Sequence, residues 1–310
     1  MNCDCKMEEK YLYIAYELNI QSEILLPELL TLTDKEYPKP DITISYGRVP
    51  KNVKQAVEEG KTFNFEKNKM WFFIKEVAVF YIYNGDTIIV DICEGYNKDY
   101  LRLFLLGSAF GMLLIQRNNV AVHGSTLIIE GKSVIFTGLS GAGKSTLSVA
   151  LRNKGYKFLT DDISAIGQTS DGSFTVKPGF PQQKLCKDAM IKMGYNIDEF
   201  VKVNDDRDKY ALPVGSLFSE KAVPLAAIFE LAVDDVDKVE IINVTGIEKL
   251  LRMMNNIYLM EVTNHSGLEN TFFKKCTEIV NKISYYRIIR PREGFSVEQQ
   301  IELIIEKLRQ

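Results

Sequence analysis

The chain has 310 residues, 46% of them apolar and 25% charged, an ordinary globular balance with room for two domains. Its 38 basic and 41 acidic residues leave a net charge of -3 and form no long basic run, so nucleic acid is not an expected partner. Five scattered cysteines, Cys3, Cys5, Cys93, Cys186 and Cys276, suit free thiols in a reducing cytoplasm rather than a disulfide framework.

The start, MNCDCKMEEK, lacks the basic opening and apolar core of a signal peptide. The most apolar stretch, Leu103 to Ile115, falls short of the about 20 residues that a bilayer crossing takes. It reads as a buried helix, no membrane is expected as a partner, and the expected location is the cytoplasm. From Tyr11 to about Tyr100, short β-favouring runs at 11–14, 42–46, 70–74, 78–83 and 87–90 alternate with turns, among them the hairpin signal Asn84-Gly85-Asp86. These predict a small β-rich N-terminal domain over 1–118, closed by a bridging helix at about 98–117.

Over 119–310 the pattern changes to alternating strands and helices, which predicts a mixed α/β catalytic domain. Strands are expected at 120–123, 126–129 and 134–137, the last two joined across Glu130-Gly131-Lys132. A helix over 144–153 with a C-cap at Gly155 and a strand over 156–160 follow. Further on, the spacing predicts helices at 185–193, 246–256, 269–283 and 297–308, strands at 225–231 and 284–289, and a loop over 206–213.

The residues from Gly138 to Ser145 read GLSGAGKS, a full GxxxxGK[ST] phosphate loop after an apolar strand and before a good helix former. A random chain of this length holds such a match roughly once in a hundred. The glycines let backbone N–H groups turn inward around phosphate oxygens, and the following helix aims its positive end at the same place. Gly138, Ser140, Gly141, Ala142, Gly143, Lys144, Ser145 and Thr146 are thus expected to hold ATP. Lys144 would reach the β- and γ-phosphates, and the Ser145 hydroxyl would ligate Mg²⁺.

One strand later the chain reads YKFLTDD, ending in Asp161-Asp162. Two acids beside a phosphate loop suit a division of labour, one holding Mg²⁺ with Ser145 and the other accepting a proton from an attacking hydroxyl. His123, in the triplet HGS at 123–125, is a structural or a catalytic histidine. His265 is assigned nothing. Arg207 and Lys209 belong either to an exposed turn or to a site for phosphate or substrate.

Taken together, HGS at 123–125, GLSGAGKST at 138–146 and YKFLTDD at 156–162 resemble the C-terminal domain of bacterial HPr kinase/phosphorylase. The likeness is strongest over 119–167. It extends through KYALP at 209–213, PLAAIFEL at 224–231 and YRIIRP at 286–291, segments that look like the shorter HPr-kinase-like group encoded with lasso-peptide biosynthesis. Residues 14–29 are similar to that group as well. The resemblance implies a phosphoenolpyruvate-carboxykinase-like fold, with Asp161 as general base, Asp162 as the metal-side acid and His123 lining the γ-phosphate pocket. The family's glutamate-bearing LEIRGLG segment has no counterpart, since residues 175–185 read TVKPGFPQQKL without an acid. That departure points away from HPr as the acceptor.

The expected activity is ATP- and Mg²⁺-dependent transfer of phosphate to a hydroxyl, a serine of a peptide or small protein. The alternatives are a kinase for a free amino acid or similar alcohol, and a non-catalytic nucleotide-dependent switch or scaffold. A switch would not need a base beside the γ-phosphate. No LSGGQ-like signature follows the loop, which sets aside an ABC-type ATPase. The sequence fixes no oligomeric state.

Overall fold

Hydrophobic alternation along the first 116 residues is spent on one large sheet. A computed structural model describes residues 10–32, 39–204, 208–265 and 269–310; Cys3, Cys5, Asp206 and Arg207 lie outside them. The chain divides into two units, 1–116 and 117–310. The first carries eight strands in the order Leu30–Thr31, Tyr11–Ala15, Leu18–Ser22, Ile42–Tyr46, Thr87–Ile92, Ala78–Tyr83, Lys69–Ile74 and Phe63–Glu66. Ile42–Tyr46 runs parallel to both its neighbours and the other pairs are antiparallel. Tyr83 faces Thr87 across the expected hairpin, with Asn84 and Gly85 both at positive φ (55° and 70°).

Lys51–Glu58 is a helix that the strand-centred sequence reading passes over. Its Val53 packs on Trp71, Val79 and Tyr81 of the sheet, with Ala56 and Val57 beside it. The helical run Lys98–Gln116 starts at Asn97, whose side chain accepts the N–H groups of Asp99 and Tyr100 at 2.8 and 3.0 Å, and widens to a π-turn at Leu105–Ala109. The run is long and apolar enough to cross a membrane by length and composition, yet more than half of it is buried inside the protein. Gln116 ties its end to the hairpin, accepting the Gly85 N–H at 2.9 Å and donating to the Ile82 carbonyl at 3.2 Å. That helix therefore packs within the first unit.

In the second unit, Val120–Ile129 is one continuous strand, where the sequence suggests two, at 120–123 and 126–129. The strand changes partners around Gly124. Its first part pairs with Ile163–Gln168, and its second lies between Lys132–Gly138 and Lys157–Thr160. Lys132–Gly138 is also parallel to Val223–Asp234, itself parallel to Ser284–Pro291. These central strands are buried on both faces, as their near-continuous apolar runs require. Val134, Phe136, Ala227 and Phe229 face Leu147, Leu151, Ile301 and Ile304 of the helices Lys144–Asn153 and Val297–Arg309. Ile135, Ile228 and Tyr285 face Leu250, Met253, Cys276 and Ile279 of Gly246–Asn255 and Glu269–Lys282.

A third sheet joins Gln182–Cys186, Lys209–Pro213 and Val201–Asn204. It corrects two expectations. The helix predicted from 185 begins only at Lys187, because residues 182–186 alternate, burying Gln183 and Leu185. The expected loop is a strand from Lys209 on, and its Leu212 packs with Leu185, Met190 and Val149 of the phosphate-loop helix. Met260–His265 is an additional short helix.

Gly124 sits where a Cβ would meet the Phe136 carbonyl oxygen of the neighbouring strand. Gly124→Ala should therefore cost about 1–3 kcal/mol, since backbone cannot move aside as a side-chain tip can. Urea unfolding at neutral pH checks this; an unchanged midpoint would contradict the close approach.

Candidate functional site

The strand Lys132–Gly138 delivers the loop between its own end and the helix Lys144–Asn153. Gly138, Gly141 and Gly143 carry φ of 130°, 84° and 107°, which a residue with Cβ adopts only under strain. At Gly138 a Cβ would also strike the Leu231 carbonyl of the parallel strand. Gly143 caps the helix without a side-chain hydrogen bond, and no acid lies in the first turn. The first turn therefore carries no acid of its own to compete with an incoming anion. Ala142 is buried, Ser140 and Gly141 are exposed, and Lys144, Ser145 and Thr146 are half-buried. Lys144 Nζ donates to the Gly138 and Leu139 carbonyls at 2.7 and 3.1 Å, so the ammonium already lies on the loop. Arg290, on Ser284–Pro291, braces the loop from the side, donating to the carbonyls of Ala142 (3.0 Å) and Gly141 (3.3 Å).

Asp161 and Asp162 follow Lys157–Thr160, and Asp162 turns the chain at a φ of 62°. The two carboxylates meet different surroundings. Asp161 is only 8% exposed; it accepts the Ser125 hydroxyl on Oδ1 and the Lys184 backbone N–H on Oδ2 at 2.9 Å. Burial, and then the neighbouring Asp162 charge, push its proton affinity above the ordinary carboxylate value, against those two hydrogen bonds. Burial pushes Asp162 the same way, but Lys184 at 2.6 Å, Lys209 and His123 outweigh it and hold Asp162 well below that value.

His123 lies opposite Ile163, next to the acid pair. Its backbone N–H donates to the Asn256 carbonyl at 2.8 Å, and its ring lies over Tyr258 at 5.9 Å and 28°. Burial lowers its proton affinity, Lys144 and Lys209 lower it further, and Asp162 opposes them. The ring is thus neutral at pH 7 and feels both the loop lysine and the acid. Asn256 also meets the Thr137 hydroxyl (2.9 Å) and the Tyr285 hydroxyl (3.4 Å), and Tyr285 donates to Glu230 at 3.1 Å. His265 is exposed, with Nδ1 2.8 Å from the Glu261 carbonyl, and has no part in the site.

Among the described residues, no three His, Cys, Asp or Glu side chains converge to hold a metal by themselves. The donor set nonetheless fits Mg²⁺, which takes one or two protein oxygens and completes its shell from phosphates and water. Asp162, held ionised, and the Ser145 hydroxyl are the residues that would supply them.

No known protein-family profile matches the chain, and no curated protein matches it. Among solved structures, the chain is similar to the Hpr(Ser) kinase/phosphatase from Coxiella burnetii. The match is 14% identical, covers 61% of this chain and 90% of that one, and has a TM-score of 0.32. So distant a likeness assigns neither fold nor activity, and the site is read from its own geometry.

Of the residues singled out in the sequence, the fold brings Asp161, Asp162, His123 and Lys144 into one electrostatic neighbourhood, with Lys209 joining it from the third sheet. Ser125, Lys184, Arg290, Asn256 and Tyr258 are additions. Ser125 stands in the HGS triplet and Arg290 in YRIIRP, so both lay within segments already noted. Lys184 lies in the segment 175–185, noted there only for lacking an acid, and its part in the site rests on contact with an aspartate 22 residues before it.

The opposite environments make a stability prediction. A carboxylate with depressed proton affinity contributes stability above its ordinary titration range, lost as pH falls through its folded value; a raised one costs stability as pH rises through it. At pH 7, Asp162→Asn should lose about 1–2 kcal/mol by removing the carboxylate that faces the Lys184 ammonium. Asp161→Asn should be neutral or stabilising, since the amide can serve both Ser125 and the Lys184 N–H. Urea unfolding of the two variants across pH 4–8 checks the contrast; equal losses would contradict it.

Proposed function

We propose that this chain is an ATP- and Mg²⁺-dependent kinase that transfers the γ-phosphoryl group to a hydroxyl, that of a serine in a peptide or small protein. The observation that carries this reading is the unlike partnering of the two acids near the phosphate loop: Asp161 accepts a hydroxyl and a backbone N–H, while Asp162 meets the Lys184 ammonium. Two titratable groups driven apart by their surroundings are the mark of separate acid–base assignments. A nucleotide switch has no use for a buried base.

On this reading the loop glycines and the first-turn N–H groups cradle the phosphates, and Lys144 swings from its carbonyls to the β- and γ-phosphates. Bound Mg²⁺ would neutralise charge across those phosphates, held on the protein side by Asp162 and Ser145. Asp161 takes the acceptor's hydroxyl proton. The acceptor oxygen forms its bond to the γ-phosphorus, and the bond from that phosphorus to the β,γ-bridging oxygen breaks, its electrons leaving with ADP. His123, neutral, offers a ring N–H to a γ-phosphate oxygen without adding a charge. Ser125 and the Lys184 N–H keep the Asp161 carboxylate aimed. The phosphoenolpyruvate-carboxykinase-like arrangement and the peptide acceptor rest on the sequence resemblance. The acid-free strand at 182–186 supports an acceptor other than HPr.

Lys144→Ala and Ser145→Ala should each abolish Mg²⁺-dependent ATP binding without unfolding the protein. Calorimetry showing unchanged affinity, with turnover intact, would remove the phosphate-loop assignment. Asp161→Asn should keep nucleotide affinity and lose transfer by about 10²–10⁴-fold. In the wild type, transfer should fall as pH drops through the raised Asp161 value, at a pH above the usual carboxylate range. The acceptor is tested by incubating the protein and Mg-ATP with HPr, serine-containing peptides and free amino acids and reading products by mass spectrometry. Phosphate on a peptide serine is expected; phosphate on HPr alone, or on amino acids alone, would contradict the acceptor class.

A further inference from the structure

Lys184 grips both acids with different groups. Its backbone N–H donates to Asp161 Oδ2 at 2.9 Å, and its ammonium lies 2.6 Å from Asp162 Oδ2. The lysine side chain is 16% exposed and the aspartate 30%, so water reaches this pair only partly. The strand that carries it is tied to the phosphate-loop helix: Gln183, fully buried, donates to the Ser148 hydroxyl at 2.6 Å. The partner strand brings a second cation, Lys209, opposite Cys186, and Lys209 also draws Asp162 toward its ionised form.

We propose that Lys184 is an internal cation that occupies the metal side of Asp162 when no nucleotide is bound, and that Mg-ATP moves it from Asp162 onto the phosphoryl group being transferred. The inference rests on the function proposed above and adds a residue to it. Asp162 keeps a second oxygen for a metal, but an ammonium on Oδ2 and a Mg²⁺ on the same carboxylate repel, so each weakens the other's hold. The metal arrives with phosphates that offer the displaced ammonium a new anionic partner. The flexible four-carbon stem lets it cross that gap without moving the strand, so its backbone N–H stays on Asp161. The lysine thus keeps Asp162 ionised before the metal comes, and afterwards supplies positive charge where the transition state gathers negative charge. The acid-free strand at 182–186 then has a positive purpose: it carries a cation beside the metal position.

The test separates metal binding from activity. Mn²⁺ is titrated into nucleotide-free protein and followed by electron paramagnetic resonance. Lys184→Met, freed of the competing ammonium, should bind Mn²⁺ about tenfold more tightly than wild type, whereas Lys184→Arg should stay near wild type. Adding Asp162→Asn to Lys184→Met should erase the gain. Affinity for Mg²⁺ with a non-hydrolysable ATP analogue should fall several-fold in Lys184→Met, because the phosphate contact is lost. Should Lys184→Met fail to fold, Lys184→Gln gives the same comparison with a polar head retained. Unchanged or weaker Mn²⁺ affinity in the folded, charge-removed variant would overturn the inference. If wild type transfers phosphate while that result holds, only the role of Lys184 falls; if wild type neither binds Mg-ATP nor transfers, the kinase reading falls.

Discussion

Two carboxylates on consecutive residues repel, and where water only partly reaches them that repulsion favours protonating one of them. Here the pair survives because the chain bends between them at Asp162 and presents each to a different partner. Asp161 receives a hydroxyl and a backbone N–H, and Asp162 receives an ammonium. Hydrogen bonds without charge leave Asp161 burdened by its burial, while a full positive charge overcomes the same burden at Asp162. One acid is therefore kept avid for a proton and the other kept anionic, by partners that lie on one strand and one triplet.

The sheet arranges this without a loop of its own. Val120–Ile129 contributes His123 and Ser125 at the point where it passes from one set of neighbours to the other. The adjacent strand Lys132–Gly138 ends in the phosphate loop, and the parallel strand Val223–Asp234 crowds Gly138 so closely that only glycine fits. Beneath His123, Asn256 holds the backbone while Tyr258 holds the ring. Asn256 is in turn fastened through Tyr285 to Glu230, which Arg252 neutralises at 3.3 Å. Each functional group thus rests on a strand or on a residue packed against one, which keeps its position rigid.

Much of this was written locally in the chain. The phosphate loop, the helix after it and the acid pair follow from contiguous residues, because backbone torsions and helix dipoles are local properties. The buried strands from 223 and 284 announced themselves as apolar runs. What the sequence concealed depends on pairing between distant segments. Lys184 reads as a solvated lysine until residues 182–186 pair with 209–213 and bring it to Asp162. Gly124 interrupts the apolar pattern that would have shown one strand, because it serves a close approach to Phe136. Lys51–Glu58 was legible in Val53, Ala56 and Val57 at helical spacing, but eight residues among so many strands made a weak signal. Arg290 sits 148 residues from the carbonyl it holds, a separation that no local pattern can report.

The division between the two acids is open to direct measurement. Carbon-13 labelling of the aspartate carboxyls, with Asp161→Asn and Asp162→Asn to assign the two signals, gives each group's titration in the folded protein. The account predicts that Asp161 takes up its proton above the ordinary carboxylate range and Asp162 only well below it. If the two titrate together near the value of a solvated aspartate, or in the opposite order, the acids share one environment and the assignment of base and metal ligand is wrong.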